Sequence, residues 1–150
     1  MQEPRNRLSP KVRRLWIAAS AAVDAVLLVI VAVVILILDL PVWIIPAALL
    51  LAVANVALVP PLRYRRWRYE IRSDDLYFSK GAIFLVRTLV PFDRIQYVET
   101  RQGPLDRFFG LHQLVVYTGA GKAGSIPGLE SGEAQSLRDE LSRVSGAVSL

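Results

Sequence analysis

The most chemically suggestive residues in this chain lie far apart and do not form a familiar reaction centre. Gly121-Lys122 invites comparison with a phosphate-binding loop. Such a loop needs glycine five residues earlier and Ser or Thr after the lysine, and Val116 and Ala123 stand there. A hairpin tip is the better reading. Asp74-Asp75 is an acidic pair, but after Ser73 it reads as a turn capped by its own side chains rather than an acid–base couple. His112 is the only histidine and there is no cysteine, so a His/Cys metal centre, a disulfide or a thiol nucleophile cannot be built. Nothing composes a nucleophile, base and oxyanion hole. The expectation is a chain without enzymatic activity, metal, cofactor or evident small-molecule substrate.

Two constellations remain. Asp24 lies inside a long apolar run, where an acid costs roughly 2.5–3.5 kcal/mol at mid-bilayer on insertion scales. Asn55, in a second apolar run, and Ser20 fall at similar depth. The favoured reading is an interhelical polar contact among Asp24, Asn55 and Ser20, or with a partner helix. The alternative is a proton or ion relay in a small transport or channel subunit, which two helices alone cannot enclose. The second constellation is Arg63-Tyr-Arg-Arg-Trp-Arg68. Arg63, Arg65, Arg66 and Arg68 beside anionic headgroups contribute about 1 kcal/mol each, and Trp67 suits an interface. They read as lipid-headgroup or interface anchors.

The elements that must position these residues begin with the two apolar runs. Of the 150 residues, 53% are hydrophobic, against roughly 45–50% for soluble domains. The excess is concentrated: from Leu15 to Val59 only Asp24 and Asp39 are charged. Leu15 to Leu38 is long enough to cross a bilayer as a helix, and its core run Ala25 to Leu38 is apolar on every face. Asp39-Leu40-Pro41 breaks the run, and Val42 to Val59 is a second span, closed by Pro60-Pro61. Trp16 and Trp43 would sit at opposite interfaces. A cleaved signal peptide fits less well, because the apolar stretch is too long and lacks a cleavage site.

The net charge of +5 would raise nucleic acid as a partner, but its placement argues otherwise. Arg5, Arg7, Lys11, Arg13 and Arg14 precede the spans with only Glu3 opposing them, and the Arg63–Arg68 cluster follows. After Tyr69 acidic and basic residues nearly balance, leaving no general field for a polyanion. Basic flanks stay inside, so the expected location is the cell membrane, multi-pass, with both termini cytoplasmic. The division is a basic segment 1–14, a two-helix transmembrane hairpin 15–62 and a cytoplasmic domain 63–150.

That domain reads as short antiparallel strands at 67–71, 76–80 and 83–90. An extended segment over 94–102 carries a bulge or short turn. Residues 103–110 form a loop or one helical turn, 114–118 a further strand and 119–124 a glycine-rich tip. Ser131 is a plausible cap for a final helix burying Ala134, Leu137, Leu141 and Val144. Leu105, Phe108 and Phe109 crowd residues 103–111. Core packing is the default there, yet adjacent phenylalanines cannot both point fully inward, so a partner contact is the alternative.

The run Arg94 to Leu111, then Val115-Val-Tyr-Thr-Gly119, Ile126-Pro-Gly-Leu129 and Ala134 to Leu141, resembles bacterial pleckstrin-homology proteins of the second type. The helical hairpin ahead of it is similar to the YdbS-like branch. The most specific stretches are Gln102-Gly-Pro-Leu105 and Ile126-Pro-Gly-Leu129. The resemblance implies a bent, seven-stranded sandwich capped by a C-terminal helix, without an established activity or shared ligand. It further implies a non-catalytic interaction module pairing with another pleckstrin-homology membrane protein or a copy of itself, in envelope homeostasis or resistance to membrane-active peptides. An anionic-lipid headgroup sensor is the alternative.

Overall fold

The computed structural model describes residues 6–146 and 148–149. The first helix, α1, spans Pro10–Leu38. Ser9 caps it by accepting from the Lys11 amide at 3.4 Å, and Pro10 opens its first turn. It ends at Asp39, whose φ of 49° is left-handed, with the amides of Asp39 and Leu40 both reaching the Ile35 carbonyl. After a short turn, α2 runs Ile44–Arg66 and packs antiparallel along α1. Both helices are long and apolar enough to cross a membrane. Their side chains are largely exposed, the reverse of a soluble core helix.

Pro60 and Pro61 do not close the second span. The helix continues through them to Arg66, so the arginine cluster begins as the last turn of α2. Each proline removes one i to i−4 donor, a loss that neighbouring groups can offset in long apolar helices.

The remainder is a sandwich of two four-stranded sheets. The first holds β1 (Asn6–Arg7), β2 (Arg68–Ile71), β3 (Asp75–Lys80) and β4 (Val86–Pro91), antiparallel and in that order. The second is built from β5 (Ile95–Arg101), β6 (Leu111–Thr118), β7 (Gly121–Glu130) and β8 (Val148–Ser149) in the order β7-β6-β5-β8, with β8 parallel to β5. A short helix, α3 (Pro104–Phe109), links β5 to β6, and α4 (Ser131–Ser145) packs over β5 and β6. The architecture is that of the expected membrane hairpin plus β-rich domain with a C-terminal helix. Among the described residues the sheets hold six longer strands and two dipeptides at their edges, β1 and β8, where the resemblance implies seven strands.

Several details differ from the sequence reading. Residues 83–85 form a loop, and the third strand starts only at Val86. The bulge or short turn expected over 94–102, by contrast, is found as a bulge between Ile95 and Tyr97 of β5. Gly119-Ala120 is the whole tip, since β7 pairs from Gly121 onward. Glu130, not Ser131, occupies the cap of α4. Ala134, Leu137 and Leu141 face the core, while Val144 stays exposed.

The core joins Leu76, Phe78, Val98, Leu114, Val116, Ile126, Leu129 and Leu141 from the sandwich and α4. Leu8, Val12, Leu15 and Trp16, from before and within the start of α1, are buried in the same cluster. Asn6 and Arg7, inside the basic leader, pair with Tyr69 and Arg68. The N-terminal arm is therefore a working part of the domain, with its arginines on the outside. Trp16 is a core residue rather than an interface aromatic, whereas Trp43 is exposed in the turn at the far end of the hairpin.

Candidate functional site

The candidate site is the junction where the hairpin enters the sandwich. Four contacts fix it. Val12 of α1 packs on Gly128 of β7, whose φ of +71° and bare α-carbon let the helix approach: a Cβ there would lie 2.4 Å from that of Val12. Tyr64 of α2 donates its hydroxyl to the Leu8 carbonyl at 3.0 Å. The Arg63 guanidinium lies 4.6 Å above the Trp16 ring. Arg66 donates to the carbonyls of Ala82 and Ile83 at 2.7 and 3.2 Å, tying the β3–β4 loop to the end of α2.

The arginine cluster is thus divided among tasks. Arg63, Arg65 and Arg66 belong to the last helical turn and are exposed, while Arg68 begins β2 and is half-buried. Trp67 departs from the anchoring role expected of it. It is 3% exposed and stacks on Phe78 at 6.3 Å, because the chain turns from helix to strand at this residue and points the indole into the sandwich.

Beside Arg63 is a polar hollow of about 260 Å³, lined by Trp16, Arg63, Lys80, Asp106, Gln113 and Ser125 with Trp67 and Pro127. Asp106 is held there by accepting from the Gly103 amide at 3.0 Å, and Gln102 fixes the loop by donating to the Leu111 carbonyl at 3.1 Å. The Gln-Gly-Pro-Leu stretch therefore builds α3, and the Ile-Pro-Gly-Leu stretch seats α1. On α3, Phe109 packs against the core, whereas Phe108 is 83% exposed and Leu105 partly so. The two rings meet edge to face at 5.3 Å.

Within the hairpin, Asn55 donates to both carboxylate oxygens of Asp24, at 3.2 and 3.0 Å. Ser20, one turn nearer the domain, is half-buried and takes no part in this pair. The bond crosses between the helices, the arrangement of interhelical glue.

The remaining sequence candidates stay apart. Lys122 is exposed on β7 and His112 lies in β6 opposite Leu129. Ser73 donates to Asp74 within the β2–β3 turn, and Asp75 starts β3. At the opposite end of the sandwich from the hairpin, an open cleft of about 820 Å³ separates the β4 edge from the β6–β7 tip. Leu89, Pro91, Arg94, Gln96 and Ala120 are among its lining residues.

Sequence reasoning missed Lys80, Asp106 and the exposed Ile83-Phe84 loop. Ile83 to Val90 reads as one apolar strand, and only Gly81 hints at a tight turn. Its φ is +139°, and a Cβ would sit 1.7 Å from the Phe84 carbonyl oxygen.

The family model described as Bacterial PH domain matches residues 15–145. The UPF0699 transmembrane protein YdbS of Bacillus subtilis (strain 168) is 35% identical over 150 residues, covering 95% of this chain and 94% of that protein. No solved structure matches. With two helices exposing apolar side chains and a domain built onto their ends, this chain belongs to the bacterial PH domain family, as a membrane protein similar to YdbS.

Proposed function

We propose that the chain is a non-catalytic, membrane-tethered interaction module. It holds its PH domain in a fixed pose at the cytoplasmic face and presents it to another PH-domain membrane protein or to a copy of itself. The observation that carries this reading is the four-point junction at Val12, Arg63, Tyr64 and Arg66. A domain on a free linker samples many orientations, and ordering it on binding costs free energy. Here both helices run into the domain without a linker, so that cost is met on folding. The cleft between β4 and the β6–β7 tip faces away from the hairpin and offers a partner both apolar and polar groups. Both basic flanks lie on one side of the spans, which supports a cytoplasmic domain and termini.

A photo-crosslinker at Leu89, in full-length chain carrying a reporter after Leu150, tests this in intact membranes. The expected result is cytoplasmic reporter activity and one discrete adduct, with a second copy or with one other PH-domain membrane protein. Adducts with lipid alone, or a reporter active only outside, would overturn it.

A second reading, recognition of a lipid headgroup, is favoured by the hollow beside Arg63. Lys80 and Arg63 offer cations to a phosphate, with the Asp106 carboxylate close by. Salt-sensitive retention of anionic lipid by the full chain, lost on changing Arg63 and Lys80 to glutamine, would select it.

A further inference from the structure

We propose that the hairpin end of the domain is an interfacial lipid-binding surface in its own right. Ile83 and Phe84 of the β3–β4 loop, and Phe108 of α3, seat among headgroups and upper acyl chains on either side of the transmembrane hairpin.

The placement follows from register. Strand β2 leaves the end of α2 at Arg68 and runs away from the hairpin; β3 returns antiparallel, with Ser79 opposite Arg68. Residues 81–85 therefore extend past the level of Trp67, toward the end where α2 enters lipid. On the other sheet, α3 packs against α1, and its Asp106 lines the same hollow as Trp16 and Arg63. Two apolar projections from separate sheets thus converge on the base of the hairpin, one beside each helix.

Their exposure is extreme for such side chains. Ile83 is 79% and Phe84 82% exposed, matching Phe108. The loop cannot fold these groups inward. Arg66 holds its carbonyls at 82 and 83, and Gly81 takes a backbone angle that other residues rarely adopt. Exposed basic residues sit on the elements that meet at this end: Arg13 and Arg14 in the first turns of α1, Arg63 and Arg65 in the last turn of α2, Lys80 at the end of β3 and Arg107 on α3. Apolar side chains ringed by Lys and Arg are the pattern of a surface lying about 5–10 Å into the headgroup region. The bilayer is the occupant because this patch is continuous with the emerging spans, so no second protein need be recruited to cover it.

The chain contains no cysteine, which makes the test direct. Single variants Leu85→Cys, Arg107→Cys and, as a distal control, Ala120→Cys are labelled with a fluorophore in full-length protein. Each is placed in vesicles of phosphatidylethanolamine and phosphatidylglycerol bearing bromines near the acyl carbonyls. The expected result is that labels at 85 and 107 are quenched by brominated lipid at least about threefold more than the label at 120, and by aqueous iodide correspondingly less. Adding Ile83→Ser and Phe84→Ser should return the 85 label to the behaviour of 120. Labels at 85 and 107 as open to iodide as 120 would overturn the proposal, as would labels shielded from both quenchers, the mark of a covering protein or second copy.

Discussion

Gly128 couples the hairpin to the domain through shape rather than charge. Its φ lies in the left-handed region, and its missing side chain is the space that Val12 occupies. An alanine there meets a backbone penalty of about 1–2 kcal/mol and an overpacking penalty of about 1–3 kcal/mol. Gly128→Ala should therefore lower the unfolding free energy of the full chain in detergent by about 2–5 kcal/mol, read by near-UV circular dichroism in a denaturant titration. Only the steric part depends on Val12. Combining Gly128→Ala with Val12→Gly, which removes the Cβ as well as both γ-methyls, should cost less than the two separate losses added together, a favourable coupling in a double-mutant cycle. Strict additivity would mean that the helix does not press on this glycine. Gly124 does a similar service in the sheet, where a Cβ would fall 2.0 Å from the Phe78 ring. Spacing alone marks it only as part of a glycine-rich tip.

At the scale of elements, legibility in the sequence tracks how far a pattern depends on distant neighbours. The spans are readable because every face of Ala25 to Leu38 is apolar, whatever surrounds it. The β5 bulge and the short α3 are readable because broken alternation and bounding glycines are local signals. The ends of α2 and the start of α1 are not. Pro60-Pro61 normally stops a helix, and only the packed context carries this one past them. Leu8, Val12, Leu15 and Trp16 follow the i, i+4, i+7, i+8 spacing of a buried stripe, yet basic residues between them mask it. For the candidate site the divide is sharper: the arginines are visible as a cluster, but the ring under Arg63 comes from α1 and the carbonyls that hold Arg66 from the β3–β4 loop, which only the fold brings together. Another such long-range link joins β2 to α4. Tyr69 donates its phenol to Glu133 at 3.1 Å, and burial, reinforced by the Glu133 charge, pushes its pKa well above the ordinary 10.0. A raised pKa in the folded state means that the neutral phenol is favoured there. Its contribution is complete below pH about 10 and is lost as pH rises through the folded value. Stability should thus decline above pH about 10 more steeply in the natural chain than in Tyr69→Phe, measured as the difference between their unfolding midpoints. Parallel profiles would show that α4 is not pinned through this bond.

For the whole molecule, the membrane spans and the domain are one folding unit, not an anchor attached to a finished module. Leu8, Val12, Leu15, Trp16 and Trp67 all lie ahead of residue 69, yet all are buried in the domain core. Burying a large apolar side chain contributes roughly 1.5–3 kcal/mol, so removing five of them takes away about 7.5–15 kcal/mol, comparable to the whole 5–15 kcal/mol that typically separates folded from unfolded. A fragment of residues 69–150 keeps almost every strand but exposes Phe78 and the β7 surface at Gly128, where Trp67 and Val12 had packed. It should lack near-UV circular dichroism and cooperative unfolding, while the full chain in nanodiscs has both. If the fragment instead gave a cooperative transition with native-like near-UV signals, the N-terminal arm would be decoration, and the fixed pose on which the interaction-module reading depends would lose its physical basis. Because every route from the spans to the sandwich passes through this shared core, loosening the domain should also loosen the base of the hairpin. Proteolysis near Arg63 to Arg68 should then rise in the same variants that weaken the Val12–Gly128 contact.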